Sequence, residues 1–367
     1  MTNINKQNNE SFLSGSSETT GKAPFYKNSK FDDFYTYGQA SHVPRISQEF
    51  LEWFIGFFEG EGSFISNNTL DKRNNRVGTR LCVSINQKEK RILEIIQKTF
   101  GFGSLHCWEQ NQKTYWHWSV DSKKSVEALA YLFSGNLSLG KRQKRFLEWI
   151  EFGQRKGMFQ EPFQIKPWAW KANIHSENAW FCGFVDGEGC FTVSKQLPKI
   201  KSLKNSVQKI QEETNKNISI KLKLLKSPTP MLQSLEVAQV GGQEEKQVLQ
   251  ALLFLFGNPN KKVCKKNRKF SSFQKNSFDE LGTEDLTNQL FSIKFASYKS
   301  LELIINYFDK YPLRTNKKFA YIRWKKVFFI RKEGYKNGLL LSERALKRFE
   351  KLAYLINKTS KKREENG

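Results

Sequence analysis

The chain has 367 residues, which at about 150 per domain sets an expectation of two domains or one large one. Lysine and arginine number 61 against 36 aspartates and glutamates, a net charge of +25, and 38% hydrophobic residues with 31 Phe, 11 Tyr and 9 Trp exclude a wholly disordered chain. No run approaches the ~18 consecutive apolar residues of a membrane span, and the polar start MTNINKQNNE gives no expectation of secretion.

A folded chain this basic calls for a polyanionic partner. Nucleic acid is favoured over a membrane surface, because the sequence offers neither a Met-Gly start nor a cysteine in its last residues, KKREENG. The five cysteines (Cys82, Cys107, Cys182, Cys190, Cys264) form no CxxC pair, which argues against a zinc ribbon, and their odd number fits reduced thiols. The four histidines are scattered. Any metal is therefore expected on carboxylate oxygen, which favours a hard ion such as Mg2+.

In chain order, residues 1–45 are polar and without sustained periodicity and read as a mostly disordered tail, with Tyr35 and Tyr37 able to dock locally. A helix is expected from Ser47, a good N-cap, through FLEWFIGFFEG. Residues 63–66 and 79–86 read as strands joined by a polar segment. An amphipathic helix follows at 90–99, a hairpin at 103–109 and 113–120, and a helix at 125–133. Trp108, Trp116 and Trp118 read as core residues.

The pattern then repeats. WFIGFFEGEGSF at 53–64 and WFCGFVDGEGCF at 180–191 agree at eight of twelve positions, at an offset of 127. NQKEKRILEIIQKTFG and GQEEKQVLQALLFLFG align Gln87 with Gln243, and NLSLGKRQKRFLEWI and PLRTNKKFAYIRWKK align Lys141 with Lys317. The growing offset assigns extra residues to the second copy, supplied by basic stretches at 197–226 and 258–276 that read as loops. The organisation expected is a tail at 1–45, one α+β repeat at 46–157, a Pro/Trp-rich linker at 158–175, a second repeat at 176–355 and a basic, polar tail at 356–367.

Each repeat helix ends in an acidic, glycine-punctuated string. Gly56 and Gly60, like Gly183 and Gly187, stand four apart, so two small residues share one helix face where another backbone can approach. Glu61 and Glu188 end the helices, where a carboxylate opposes the macrodipole and a bound cation would offset the cost. Side by side, the two acids and nearby carbonyls would make an oxygen-rich site for divalent ions, suited to in-line phosphodiester hydrolysis on each strand of a duplex. For Glu59 and Asp186, hydrogen bonding to neighbouring backbone is as good a reading as metal binding.

FIGFFEGEG at 54–62 and FCGFVDGEG at 181–189 resemble the paired signature of the LAGLIDADG homing endonucleases in their single-chain, two-repeat form. The resemblance extends over about residues 46–355. It implies an αββαββα fold in each half, signature helices at the interface, two antiparallel sheets forming a saddle over DNA, and Mg2+-dependent cleavage. By position, the essential acids fall on Glu61 and Glu188, with backbone carbonyls of Gly60 and Gly187 beside them. Polar helpers fall on Gln87, Lys141, Gln243 and Lys317. Base contacts are expected from the sheet, with Arg76, Arg80, Asn111 and Lys113 as candidates, and phosphate contacts from the basic loops. The implied protein is an intron-encoded, site-specific endonuclease, acting as a monomer on a long double-stranded DNA target and without a membrane partner. The alternative is a maturase of the same fold that assists splicing of its host group I intron RNA. A composition rich in Lys, Asn and Phe, with the family's usual habitat, suggests an organelle, the chloroplast before the mitochondrion.

Overall fold

The computed structural model describes residues 30–40, 44–71, 76–159, 162–195, 231–266, 289–336 and 343–364. Its centre is a pair of helices, α2 (Gln48–Glu61) and α7 (Trp180–Glu188). Ser47 caps α2, its hydroxyl accepting from Phe50 N at 3.3 Å. Residues 50–59 of α2 and 180–187 of α7 are all buried, apolar on every side except for the acids Glu52, Glu59 and Asp186. The helices run parallel and touch through glycine. A Cβ added at Gly56 would lie 2.0 Å from Trp180 O, and one at Gly183 would lie 1.8 Å from Trp53 O. The backbones meet with no room for a methyl group. Glu52 on α2 accepts from Ala179 N at 3.0 Å, which fixes the entry of α7.

Each half then builds the same antiparallel sheet. In the first, β1 (Gly62–Asp71), β2 (Arg76–Gln87), β3 (Ser104–Gln110) and β4 (Lys113–Val120) lie in the order β1-β2-β4-β3. In the second, β5 (Gly189–Lys195), β6 (Met231–Gly241), β7 (Cys264–Lys266) and β8 (Gln289–Phe295) lie in the order β5-β6-β8-β7. The inner face of each sheet packs on its helices. Phe54 of α2 sits 4.7 Å from Phe100, at the end of α3 (Lys90–Phe100), 5.9 Å from Trp118, and 6.1 Å from Phe133, at the end of α4 (Lys123–Phe133). Phe181 of α7 repeats this against Phe256, just past α8 (Gln243–Leu255), at 4.7 Å and against Phe308 at 6.0 Å. Helix α5 (Gly140–Arg155) closes the first half, and α6 (Trp170–Asn173) lies between the halves. Helices α9 (Tyr298–Lys310), α10 (Lys317–Lys336) and α11 (Glu343–Glu364) close the second. This is the α+β class expected.

Several local readings differ. Within the expected tail, residues 32–40 form α1 (Asp32–Ala40), anchored by the buried rings of Phe31 and Phe34, the latter 6.5 Å from Phe100. The helix is short and, of its nine residues, only the aromatic rings of Phe34, Tyr35 and Tyr37 are large and apolar, so periodicity is weak in sequence. The strands β1 and β2 run well past 63–66 and 79–86, their ladder continuing through a largely polar stretch to the pair Asp71↔Arg76. Part of the stretch read as a loop at 258–276 is the edge strand β7; residues 267–276, like 197–226, lie outside the described residues. Helix α11 runs into the expected C-terminal tail. Trp118 is fully buried, but Trp108 is 40% exposed, on the outer face of its sheet.

The glycine contact yields a test. Replacing Gly183 by alanine is expected to destabilise the fold by about 3 kcal/mol or more, since the neighbouring atom is rigid backbone. Gly157, with φ +64 but nothing within 4 Å, serves as the control, with an alanine cost of about 1–2 kcal/mol from backbone strain alone. Equal urea midpoints for the two variants would contradict the close approach.

Candidate active site

Parallel helices in glycine contact deliver their last residues to one place. Glu61 and Glu188 end α2 and α7, and a Cβ at Gly60 would lie 3.3 Å from both Gly187 Cα and Glu188 Cγ. A Cβ at Gly187 would lie 3.4 Å from Glu61 Cγ. Burial first, and then the Glu61 charge, push the Glu188 carboxyl above its ordinary range, while Lys317, Lys141 and Arg142 pull it down. Two acids thus sit together at the negative ends of two helix dipoles, an arrangement that favours cations.

The chain supplies two of its own. Arg142 Nε donates to Glu59 O at 2.9 Å and its guanidinium also reaches Gly60 O at 3.3 Å. Lys317 Nζ donates to Val185 O at 2.8 Å and to Gly187 O at 2.5 Å. The two carbonyls expected beside the acids already face positive charge, and each has a second lone pair. Among the described residues there is no group of three or more His, Cys, Asp or Glu that could hold a metal. A divalent ion would therefore draw on Glu61, Glu188 and the Gly60 and Gly187 carbonyls. Water or substrate oxygens would complete the shell, as hard ions such as Mg2+ accept. The all-oxygen donor set fits such an ion.

Glu59 and Asp186 have a different task. Glu59 accepts from Ser138 N (2.8 Å) and Leu139 N (2.6 Å), ahead of α5, and from Trp180 Nε1 across the interface (2.6 Å). Asp186 mirrors it, accepting from Arg314 N (2.8 Å), from Thr315 Oγ1 (2.5 Å) and from Trp53 Nε1 (2.9 Å). Each acid ties the other repeat's tryptophan to the loop leading into its own repeat's closing helix. Both are buried and their oxygens are taken up by these donors, which makes their task structural.

The helpers are placed by register. Gly62 pairs with Ile85 and Gly189 pairs with Val237, so the strand position of Gln87 is held in the second half by Gln239. Gln243, expected there from the sequence, instead opens α8. The second copy has four more residues between this strand position and the helix-leading acid, Glu89 in one half and Glu245 in the other; the extra residues include Gly241 and Gly242. Aligning the helices therefore moves the glutamine out of register. With its amide turned to satisfy both neighbours, Gln239 donates to Glu188 Oε1 (3.1 Å) and accepts from Lys141 Nζ (3.0 Å).

Lys141 and Lys317 are likewise not counterparts. Lys141 N donates to Glu245 Oε1 at 2.7 Å, whereas it is Asn316 N that donates to Glu89 Oε2, at 2.8 Å. Further along, Trp149 lies 5.3 Å from Phe64 and Trp324 lies 5.4 Å from Phe191. Both comparisons pair Lys141 with Asn316 and Arg142 with Lys317, leaving Gly140 unmatched. A single missing residue at the mouth of α10 shifts the two helices by one. Gln87, Asn316 and Lys317 together line a pocket on the second half's side of the interface.

The outer face of the first sheet is polar. Arg80, Ser84 and Asn86 on β2 share it with Tyr115, His117 and Ser119 on β4 and with His106 and Trp108 on β3, as the pairs Ser84↔Ser119, His106↔His117 and Trp108↔Tyr115 require. Arg80 is exposed and 3.9 Å from Asp121, Asn111 forms the β3–β4 turn with φ 51, and Lys113 starts β4 half-buried. Arg76 lies opposite Asp71 at the far end of β2.

Paired buried helices, two equivalent four-stranded antiparallel sheets and two acids at the helix ends define a pseudo-symmetric double-repeat scaffold. The sequence profile described as "LAGLIDADG endonuclease" matches residues 54–152 and 260–328. Both halves of the chain thus match the LAGLIDADG endonuclease profile in part. It is 33% identical over 145 residues to "Probable intron-encoded endonuclease 4" of Neurospora crassa, a stretch covering 40% of this chain and 24% of that protein, so the match spans about a quarter of the relative. Among solved structures, it is similar to the LAGLIDADG meganuclease I-CpaMI bound to uncleaved DNA, with TM-score 0.52 and 15% identity over 83% of this chain and 98% of that one. It is also similar to I-SmaMI bound to uncleaved DNA target in the presence of calcium ions (TM-score 0.53, 16% identity, 84% and 98% covered). A third is the homing endonuclease I-GzeII in complex with its DNA target (TM-score 0.50, 18% identity, 84% and 97% covered).

The buried Glu59 gives a pH test. Burial pushes its carboxyl up to about 7 from 4.5, against the opposing pull of Leu139 N, Trp180 Nε1, Ser138 N and Arg142. The folded state thus holds this proton where the unfolded chain has released it. The contribution is fully present below the unfolded value and is lost as pH rises through the folded one, about 3 kcal/mol in all. Urea unfolding of wild type should weaken from pH 5 to 7 more steeply than that of Glu59→Gln; parallel curves would contradict it.

Proposed function

We propose that the chain is a site-specific, intron-encoded DNA endonuclease that hydrolyses both strands of a duplex with Mg2+. The observation that carries this reading is the juxtaposition of Glu61 and Glu188 at the ends of the two glycine-paired helices, one acid from each repeat. The three similar structures described above are complexes with DNA, which supports a duplex as substrate. The name of the fungal relative supports an intron origin. A net charge of +25 supplies the long-range attraction to phosphate. Since one chain carries both repeats, a monomer suffices.

The chemistry follows from the residues. The outer sheet faces, with Arg80, Asn86, His106 and His117 among their side chains, lie against the groove and read base edges. Glu61 and Glu188, with the Gly60 and Gly187 carbonyls, hold the divalent ion, which when bound polarises a phosphoryl oxygen and acidifies water. Gln239, buried between Glu188 and Lys141, fixes both side chains relative to each other. Gln87 holds the equivalent strand position in the other half. The Lys141 ammonium favours the negative charge that builds on phosphate oxygens during attack.

Glu61→Gln and Glu188→Gln are each expected to lower double-strand cleavage by at least about 100-fold while DNA affinity in calcium stays within about threefold, roughly 0.7 kcal/mol. A linearised-plasmid assay and a filter-binding titration check this. Normal double-strand cleavage by either variant would overturn the assignment.

A further inference from the structure

On the outer face of the first sheet, one rung carries chemistry that neither the acids nor the fold requires. Asn86 of β2, His117 of β4 and His106 of β3 lie opposite one another, in the pairs Asn86↔His117 and His106↔His117. Side chains paired in this way share one face, with Cβ atoms about 4.5–5.5 Å apart. His117 Nδ1 lies 2.5 Å from Asn86 Oδ1. An amide oxygen only accepts, so the ring proton sits on Nδ1 and Nε2 keeps its lone pair. Partial burial first, and then His106 and Arg80, hold the His117 pKa below its ordinary range, so the ring is uncharged at neutral pH. Arg80 is itself drawn to Asp121, at 3.9 Å. Trp108, one rung along, packs T-shaped against the His117 ring with centroids 6.3 Å apart. Ile85 and Val237 hold equivalent places, facing Gly62 and Gly189. The rung beside them in the second sheet is therefore Ala238, Ser292 and Cys264, through the pairs Ala238↔Ser292 and Cys264↔Ser292. The same fold is built there with no imidazole at all.

We propose that His106 and His117 together bind one divalent ion of the zinc class, and that the bound ion withdraws the base readout of the first sheet. Neutral imidazole nitrogens suit Zn2+, Ni2+ or Cu2+, whereas Mg2+ prefers oxygen. This site is thus chemically distinct from the carboxylates and carbonyls at the helix ends. The Asn86 amide acts as the outer partner of a metal-bound histidine does, holding the proton on the far ring nitrogen and fixing the ring. Two protein ligands leave the other positions to water, so binding is modest and reversible. The loss of readout rests on the reading above that this face meets DNA. A bound ion takes up the lone pairs that would face base edges and holds its water shell above the sheet. Its positive charge still favours phosphate of any sequence. Discrimination between sequences therefore falls further than overall affinity.

The test uses the full chain, with Zn2+ as the probe. Calorimetric titration of wild type in excess Ca2+, which occupies oxygen sites, should show one Zn2+ site of micromolar Kd. His106→Gln and His117→Gln should each weaken it at least about tenfold, and Asn86→Leu by a comparable factor through the lost outer contact. Glu188→Gln should leave it unchanged, as should Cys107→Ser, which removes the exposed thiol next in sequence to His106. DNA binding is then read by fluorescence anisotropy in Ca2+, on a duplex that wild type selects from a randomised pool and on a scrambled duplex of the same composition. Zn2+ should lower the ratio of the two affinities at least about tenfold in wild type, near the cost of one mismatched base pair. Phenanthroline should restore it. In His106→Gln, adding Zn2+ should change the ratio by less than about threefold. Each protein is compared with itself, so a general effect of substitution on folding drops out. Absence of a Zn2+ site in wild type, or a site that survives in both histidine variants, would overturn the proposal. Zn2+ bound at the histidines with the ratio unchanged would overturn it as well. Failure of wild type to select any duplex would instead fail the nuclease reading, and calorimetry would still decide the histidine site.

Discussion

Two backbones in direct contact organise this protein. Gly56 faces the Trp180 carbonyl and Gly183 faces the Trp53 carbonyl, each at a separation that no side chain could share. Helices that pack on ordinary side chains lie 8–10 Å apart; removing the side chains at the crossing draws them closer. Everything at the helix ends inherits that proximity. Glu61 and Glu188 emerge as neighbours, with the two carbonyl-rich helix termini beneath them. The crossed bonds from Trp53 to Asp186 and from Trp180 to Glu59 then lock the pair. Each buried acid also holds the approach to the helix that brings Arg142 or Lys317 to the site.

Much of this was legible in the sequence because it is written in short-range pattern. The repeated dodecapeptide, the glycine spacing and the terminal glutamates identify the paired helices and the position of the acids. The alternation of β2 and β4 and the amphipathic run of α3 place the first sheet and its cover. What was not legible depends on register between elements that are distant in the chain. Gln239 is hidden because four extra residues, with Gly241 and Gly242 among them, lie between strand and helix. Counting by twos along the strand from Val237, the partner of Gly189, would have found it. Asn316 is hidden because one residue is missing at the mouth of α10, while the neighbouring Lys317 offers a tempting match to Lys141. Arg142 carried no signal beyond lying beside Lys141. Helix α1 was missed for want of length, although Phe31 and Phe34 show the spacing of one buried turn.

The pseudo-symmetry is therefore real in the fold and imperfect in the chemistry. The parts that must match for the halves to pack do match: the glycines, the tryptophan–acid pairs, the phenylalanine under each sheet. The parts that differ lie around the acids, Gln239 with Lys141 on one side and Gln87 with Asn316 on the other. There each half reaches across to the other, Glu89 to the start of α10 and Glu245 to α5, so an insertion in one repeat alters the centre built with its neighbour.

The central claim is that Glu61 and Glu188 share one electrostatic environment. It can be read without metal or DNA, by following the carboxyl 13C resonance of Glu188 through a pH titration in wild type and in Glu61→Gln. With its neighbour's charge removed, Glu188 should titrate at lower pH than in wild type. An unchanged midpoint would mean that the two acids do not sense each other, and the shared centre would not exist.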